Sequence, residues 1–236
     1  MTGNGSGAGA PGGGRPDPGT VEALYPFLYS GTSDLEAVLA DVRRSTVAKT
    51  AEITELRRAI AAQDGARLAQ CAADTAGRFA RGGRLLAFGN GGSATDAGQV
   101  ASLFLDPGPG HRALPAYGLA SDTAIITALA NDVGPEVIFS RQIAAFGRPQ
   151  DIAVGLSTSG NSENLVRAFE TASQRGLLTI GLAGYSGGKM AELDCIDYLF
   201  VAPSASVHRI QEAQTTVYNL LWELTLTALG GLAATR

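Results

Sequence analysis

The run Ser157-Thr158-Ser159-Gly160-Asn161-Ser162-Glu163 places five hydrogen-bond-donating side chains within seven residues. A helix N-cap needs only one such side chain. The surplus suits an oxyanion, because hydroxyls and the free N–H groups of a helix start can hold a phosphate without a cluster of lysines. A second run, Gly89-Asn90-Gly91-Gly92-Ser93-Ala94-Thr95-Asp96, brings glycines that let main-chain amides close on an anion. Ser93 and Thr95 add hydroxyls where a helix is expected to begin. Two such runs in one chain point to a phosphorylated small molecule as ligand.

The glycine run also begins like the dinucleotide pattern G-x-G-x-x-G. Ala94 stands at the third glycine position, and no acidic residue ends the next apolar run at Leu119 to hold a ribose hydroxyl. Dinucleotide-dependent redox chemistry is therefore disfavoured.

Both runs sit where short apolar segments give way to helical periodicity. Candidate strands are Leu85–Phe88, Ala116–Leu119, Ile152–Leu156, Leu178–Leu182 and Tyr198–Val201. Helices fit near 94–105, 122–130, 136–146, 162–175 and 206–229. Apolar runs without polar alternation, each followed by a helix, predict an α/β fold. Its five-stranded, mainly parallel sheet is covered on both faces. Right-handed crossovers then bring the strand-end loops to one edge, where open α/β sheets bind ligands.

Ahead of the sheet, Ser33 or Asp34 can cap a helix carrying Leu35, Val38, Leu39, Val42, Ile53, Leu56 and Ile60 at helical spacing. Asp64-Gly65 is expected to end it, with a second helix over 66–81. An amphipathic stretch outside a sheet domain suits packing against another subunit. Residues 1–20 hold eight Gly and three Pro, a composition with little to bury against the entropy of ordering. The expected organisation is a disordered tail over 1–20, N-terminal helices over 21–82 and a ligand-binding domain over 83–230.

The chain has 236 residues, with 18 Lys and Arg against 22 Asp and Glu, a net charge of −4 that argues against a nucleic-acid partner. No run approaches the roughly 18 apolar residues of a membrane span. The first residues lack a basic-then-apolar secretory pattern. Two cysteines, Cys71 and Cys195, suit a reducing cytoplasm.

Several motifs together resemble the sugar isomerase (SIS) domain, and within it the phosphoheptose isomerase branch. They are Phe88-Gly89-Asn90-Gly91-Gly92-Ser93, Ala130-Asn131-Asp132, Phe139-Ser140-Arg141-Gln142, Gly155 through Ser162, Gly187-Gly188-Lys189-Met190-Ala191 and Arg209-Ile210-Gln211-Glu212, and the likeness spans about Leu35 to Leu226. The resemblance implies a cytoplasmic homotetramer that interconverts sedoheptulose 7-phosphate and an aldose 7-phosphate. It places phosphate on Ser157, Thr158, Ser159 and Ser162. It places sugar on Asn90, Gly91, Gly92, Asn131, Asp132 and Gln211, with Ser93 beside them.

Moving a proton between neighbouring carbons requires a base and a group to polarise the carbonyl. The resembled pattern supplies zinc and acid–base groups from positions that here hold Gln99, Leu103, Gln211 and Asn219; only Gln211 is retained. The zinc site is expected to be lost, with no cofactor in its place. His208, just before the Arg209-Ile210-Gln211-Glu212 motif, is the best surviving acid–base residue, ahead of Asp106, Glu163 and Glu212. Two functions follow: an isomerase centred on His208, or a non-catalytic sugar-phosphate sensor or protein-binding regulator that keeps the cradle without the chemistry.

Overall fold

The computed structural model describes residues 35–234. The expected tail and the first part of the expected helical region lie outside them. Residues up to Lys49 and residues from Thr50 onward form separate units. The first described element, α1 (Leu35–Ala80), is one continuous helix of 46 residues.

The break expected at Asp64-Gly65 does not occur. Asp64 is buried, and its carboxylate accepts from Arg67 Nη1 at 3.1 Å, one turn further along. A mid-helix glycine costs only about 1 kcal/mol. Burial of Ile53, Leu68 and Phe79 on either side outweighs it, at roughly 1.5–3 kcal/mol for each large side chain.

The strands are β1 (Leu85–Gly89), β2 (Ala116–Gly118), β3 (Ile152–Leu156), β4 (Leu178–Gly184) and β5 (Tyr198–Ala202). All pair in parallel, in the order β2-β1-β3-β4-β5. The helices are α2 (Gly92–Leu105), α3 (Thr123–Asp132), α4 (Ile138–Phe146), α5 (Glu163–Gln174) and α6 (Val207–Ala234). A 3-10 turn, Pro135–Val137, leads into α4, and another, Gly188–Glu192, lies between β4 and β5.

Alternate strand residues enter two cores. Leu85, Ala87, Ile152, Val154 and Ile180 meet α2, α6 and the second half of α1 through Phe104, Tyr218 and Phe79. Leu86, Phe88 and Ala153 meet α4 and α5 through Phe139, Ile143 and Phe169. Coverage of both faces explains why the strands read as continuous apolar runs.

The chain leaves β1 for one edge of the sheet and continues from β3 toward the other. The switch point between them is the expected ligand crevice of such a sheet. At the opposite end, buried Asp151 accepts from Arg84 N at 2.9 Å and Arg84 Nη2 at 2.6 Å, pinning the starts of β1 and β3 together. Among the described residues, no helix is long and apolar enough to cross a membrane.

Candidate functional site

The register pairs Gly89 with Leu156, so the loops that follow β1 and β3 emerge side by side. Asn90 and Asn164 then exchange two amide hydrogen bonds, each 2.9 Å, between the glycine loop and the first turn of α5. The two donor-rich runs therefore form one surface. Gly91 has φ 54°, a conformation that favours glycine, and Gly91 and Gly92 are exposed at the start of α2.

In the second loop, Ser157 is buried, and its Oγ accepts from Gly160 N at 3.0 Å. Ser159 Oγ accepts from Asn161 N at 3.2 Å. Each hydroxyl thus shapes the loop with a lone pair and keeps its O–H to give. Ser162 caps α5 without using its side chain, which leaves that hydroxyl available as well. Thr158 is half-buried between them.

The loop is braced from the side. A Cβ at Gly160 would lie 1.9 Å from Gly187 O, and Asn161 Oδ1 accepts from Lys189 N at 3.0 Å. Lys189 Nζ reaches Glu163 at 3.4 Å, and Arg167 Nε reaches it at 3.3 Å. Arg167 and then Lys189 hold the Glu163 carboxyl below its ordinary range. Glu163 is thereby engaged with cations on the surface.

The long helix α6 closes the crevice with two glutamines one turn apart. Gln211 lies across the glycine loop, where a Cβ at position 92 would meet its Nε2 at 2.5 Å. Its Nε2 also approaches Asp96 Oδ2 at 3.4 Å. Asp96 is half-buried, and burial raises its carboxyl above the usual range while hydrogen bonds from Gln211 and Tyr218 act the other way. Gln214 is buried, and its Nε2 donates to Ser157 O at 2.9 Å, holding the loop after β3 from behind. The start of α6 is tied to α1 by Arg209, which pairs with Glu212 and reaches Glu52 at 3.5 Å.

His208 is exposed in the first turn of α6, three residues before Gln211 and so on a neighbouring part of the same helix face. Ser93 is buried in the first turn of α2. Asn131 and Asp132 stand exposed at the end of α3, where the Asn131 amide donates to the Asp132 carboxylate at 2.8 Å. Among the described residues, no hydrogen bond joins that pair to the two loops. Asn164, Asp96, Tyr218 and Gln214 were not singled out from the sequence. An asparagine at the second residue of a helix, or a glutamine at the eighth residue of one, carries no local signal of a partner so far along the chain.

A match to the SIS domain covers residues 50–184. The phosphoheptose isomerase of Aquifex aeolicus is 44% identical over 161 residues, 66% of this chain and 83% of the relative. The chain belongs to the phosphoheptose isomerase family of SIS-domain proteins. The phosphoheptose isomerase of Nitratidesulfovibrio vulgaris is 39% identical over 186 residues, 78% of this chain and 88% of the relative. Among solved structures, phosphoheptose isomerase GmhA from Neisseria gonorrhoeae superposes with a TM-score of 0.72 at 32% identity, over 78% of this chain and 98% of that one. A phosphoheptose isomerase from Francisella tularensis gives 0.69 at 28% identity, over 83% and 100%. The parallel sheet and its flanking helices are thus the family's fold.

The zinc that the resemblance implies meets a poor set of donors here. Leu103 packs against the core and has no lone pair to give. Asn219 donates its amide to Thr215 O at 2.8 Å, and Gln99 is exposed. Zinc takes imidazole, thiolate or carboxylate, so three amides and a leucine do not fit it. Among the described residues, no group of three His, Cys, Asp or Glu could hold a metal ion.

Proposed function

We propose that the chain is an aldose–ketose isomerase acting on sedoheptulose 7-phosphate without zinc. The observation that carries this reading is the joining of the two strand-end loops by Asn90 and Asn164, in a chain belonging to this family. The phosphate lies on the hydroxyls of Ser157, Thr158, Ser159 and Ser162 and on the N–H groups that open α5. The sugar extends over Asn90, Gly91, Gly92 and Ser93 toward Gln211, with Asn131 and Asp132 completing its contacts.

The reaction removes a proton from C1 of the ketose, passes through an enediol and returns a proton to C2. The hydroxyl proton on O1 is lost as the carbonyl forms there, and O2 gains one. His208 is the residue proposed to carry the carbon-bound proton. Sedoheptulose 7-phosphate incubated in deuterated water should gain deuterium at C1. His208→Ala should slow that exchange at least about 100-fold, the contribution of a general acid–base group. Absence of exchange and of aldose product rejects the isomerase reading.

The substitutions Leu103 and Asn219 favour a second reading, a sensor that binds the sugar phosphate without turning it over. Ligand would then raise the melting temperature while no product forms.

The protein is further proposed to act in the cytoplasm as a homotetramer. Val38, Leu39 and Val42 are about half exposed on one side of α1, which supports subunit packing. An open apolar hollow of about 150 Å³ between the second half of α1 and α6, lined by Ile60, Leu68, Phe200, Val217 and Leu220, also supports it.

A further inference from the structure

The Gln211 side chain has two chemically different ends, and the structure gives them different neighbours. Its Nε2 faces the Asp96 carboxylate at 3.4 Å. An ionised carboxylate only accepts hydrogen bonds, so it selects the NH2 end of an amide and turns the carbonyl end away. The side chain also lies close against Gly92. A Cβ there would be 2.5 Å from Nε2 and 3.7 Å from Oε1, so Oε1 is the end further from that main chain.

Tyr218, two turns beyond Gln211 on α6, is buried beside Asp96. Thr215 donates from Oγ1 to Gln211 O at 2.9 Å. The side chain of Gln211 is therefore fixed by Asp96 on α2 and its main chain by Thr215 on α6. Among the described residues, no hydrogen bond is donated to Gln211 Oε1.

We propose that Asp96 is a positioning residue that orients Gln211 so that its Oε1 accepts a hydrogen bond from a hydroxyl of the sugar. The proposal rests on the reading of the crevice as a sugar-phosphate site. It adds a determinant for the hydroxylated part of the ligand, separate from the loop that holds the phosphate. An amide nitrogen facing the ligand would instead demand an acceptor from it.

The test is calorimetric binding of sedoheptulose 7-phosphate and of inorganic phosphate to the full chain and four variants: Asp96→Ala, Asp96→Asn, Gln211→Ala and the double Asp96→Ala/Gln211→Ala. Asp96→Ala and Gln211→Ala should each weaken the sugar phosphate about tenfold and leave inorganic phosphate unchanged. The double variant should be no weaker than either single one, because both remove the same interaction. Asp96→Asn keeps an acceptor oxygen and should bind within about threefold of the parent.

Parental affinity in Asp96→Ala, additive losses in the double variant, or an Asp96→Asn as weak as Asp96→Ala would each overturn the proposal. Equal loss of inorganic phosphate would overturn it too, by showing a collapsed site. A parent chain that takes up no sedoheptulose 7-phosphate removes the functional reading and this proposal together, a pattern distinct from the others.

Discussion

Asn90 and Asn164 stand amide to amide, each donating to the other at 2.9 Å across the ends of two neighbouring strands. Neither bond is long-range in space, yet 74 residues separate the partners in the chain. The pair converts two ordinary strand-to-helix turns into a single cradle.

Asn164 is not among the residues assigned to the ligand, which makes it the cleaner probe of that pair. Asn164→Ala should weaken sugar-phosphate binding about tenfold. In a double-mutant cycle with Asn90→Ala, the coupling should fall in the range of about 0.5–3 kcal/mol expected for groups in contact. Titration calorimetry on the four proteins measures it; additive losses contradict the pairing.

Gln214 supports the loop after β3 from the protein side. Gln214→Leu strands the Ser157 carbonyl away from any donor, at a cost of about 1–3 kcal/mol. The urea midpoint should fall accordingly, and phosphate affinity should fall with it because the loop loses its backing. Loss of stability with unchanged phosphate affinity would separate the two roles and contradict the second.

Burial raises the Asp96 carboxyl in the folded chain, so the folded form holds this proton to higher pH than the unfolded chain does. Its contribution to stability is therefore complete below the ordinary carboxylate range and is lost as pH rises through the raised value. Asp96→Asn cannot ionise. Its urea midpoint should exceed the parent's near neutral pH, and that gain should shrink as the pH is lowered toward 4. A difference that does not vary with pH contradicts the assignment.

The Cys71 thiol is pushed up to about 12, chiefly by burial in the core between α1 and the sheet. The thiolate is the reactive form, so Cys71 should resist a thiol-specific disulfide reagent at pH 8 in the native protein and react after unfolding in urea. Mass spectrometry of the labelled peptides reads this directly. Rapid native labelling of Cys71 would show that α1 does not cover the sheet there.

Much of this was legible in the sequence because the signals are local. Apolar runs such as Ile152–Leu156 are buried on both faces, and their ends carry the glycine and hydroxyl residues that turns and helix starts require. Both loops therefore stand out in the sequence without reference to their neighbours in space. Continuation of the helix through Asp64-Gly65 has no local signal, because it depends on burial of Asp64 and of residues a turn or more away. Asp96, Tyr218 and Gln214 gave no sign, since their partners lie on other elements that only the folded sheet brings close.

The central claim is that the loops after β1 and β3 make one pocket for a phosphate ester of a sugar. Calorimetry of sedoheptulose 7-phosphate against sedoheptulose tests it most directly, on the parent and on Ser157→Ala/Ser159→Ala. Hydrogen bonds to a charged group contribute about 1.5–3 kcal/mol each, so the parent should favour the phosphate ester by about 100-fold or more. The double variant should lose most of that preference. Equal affinity of the parent for the two sugars, or a full phosphate preference in the double variant, would contradict the account.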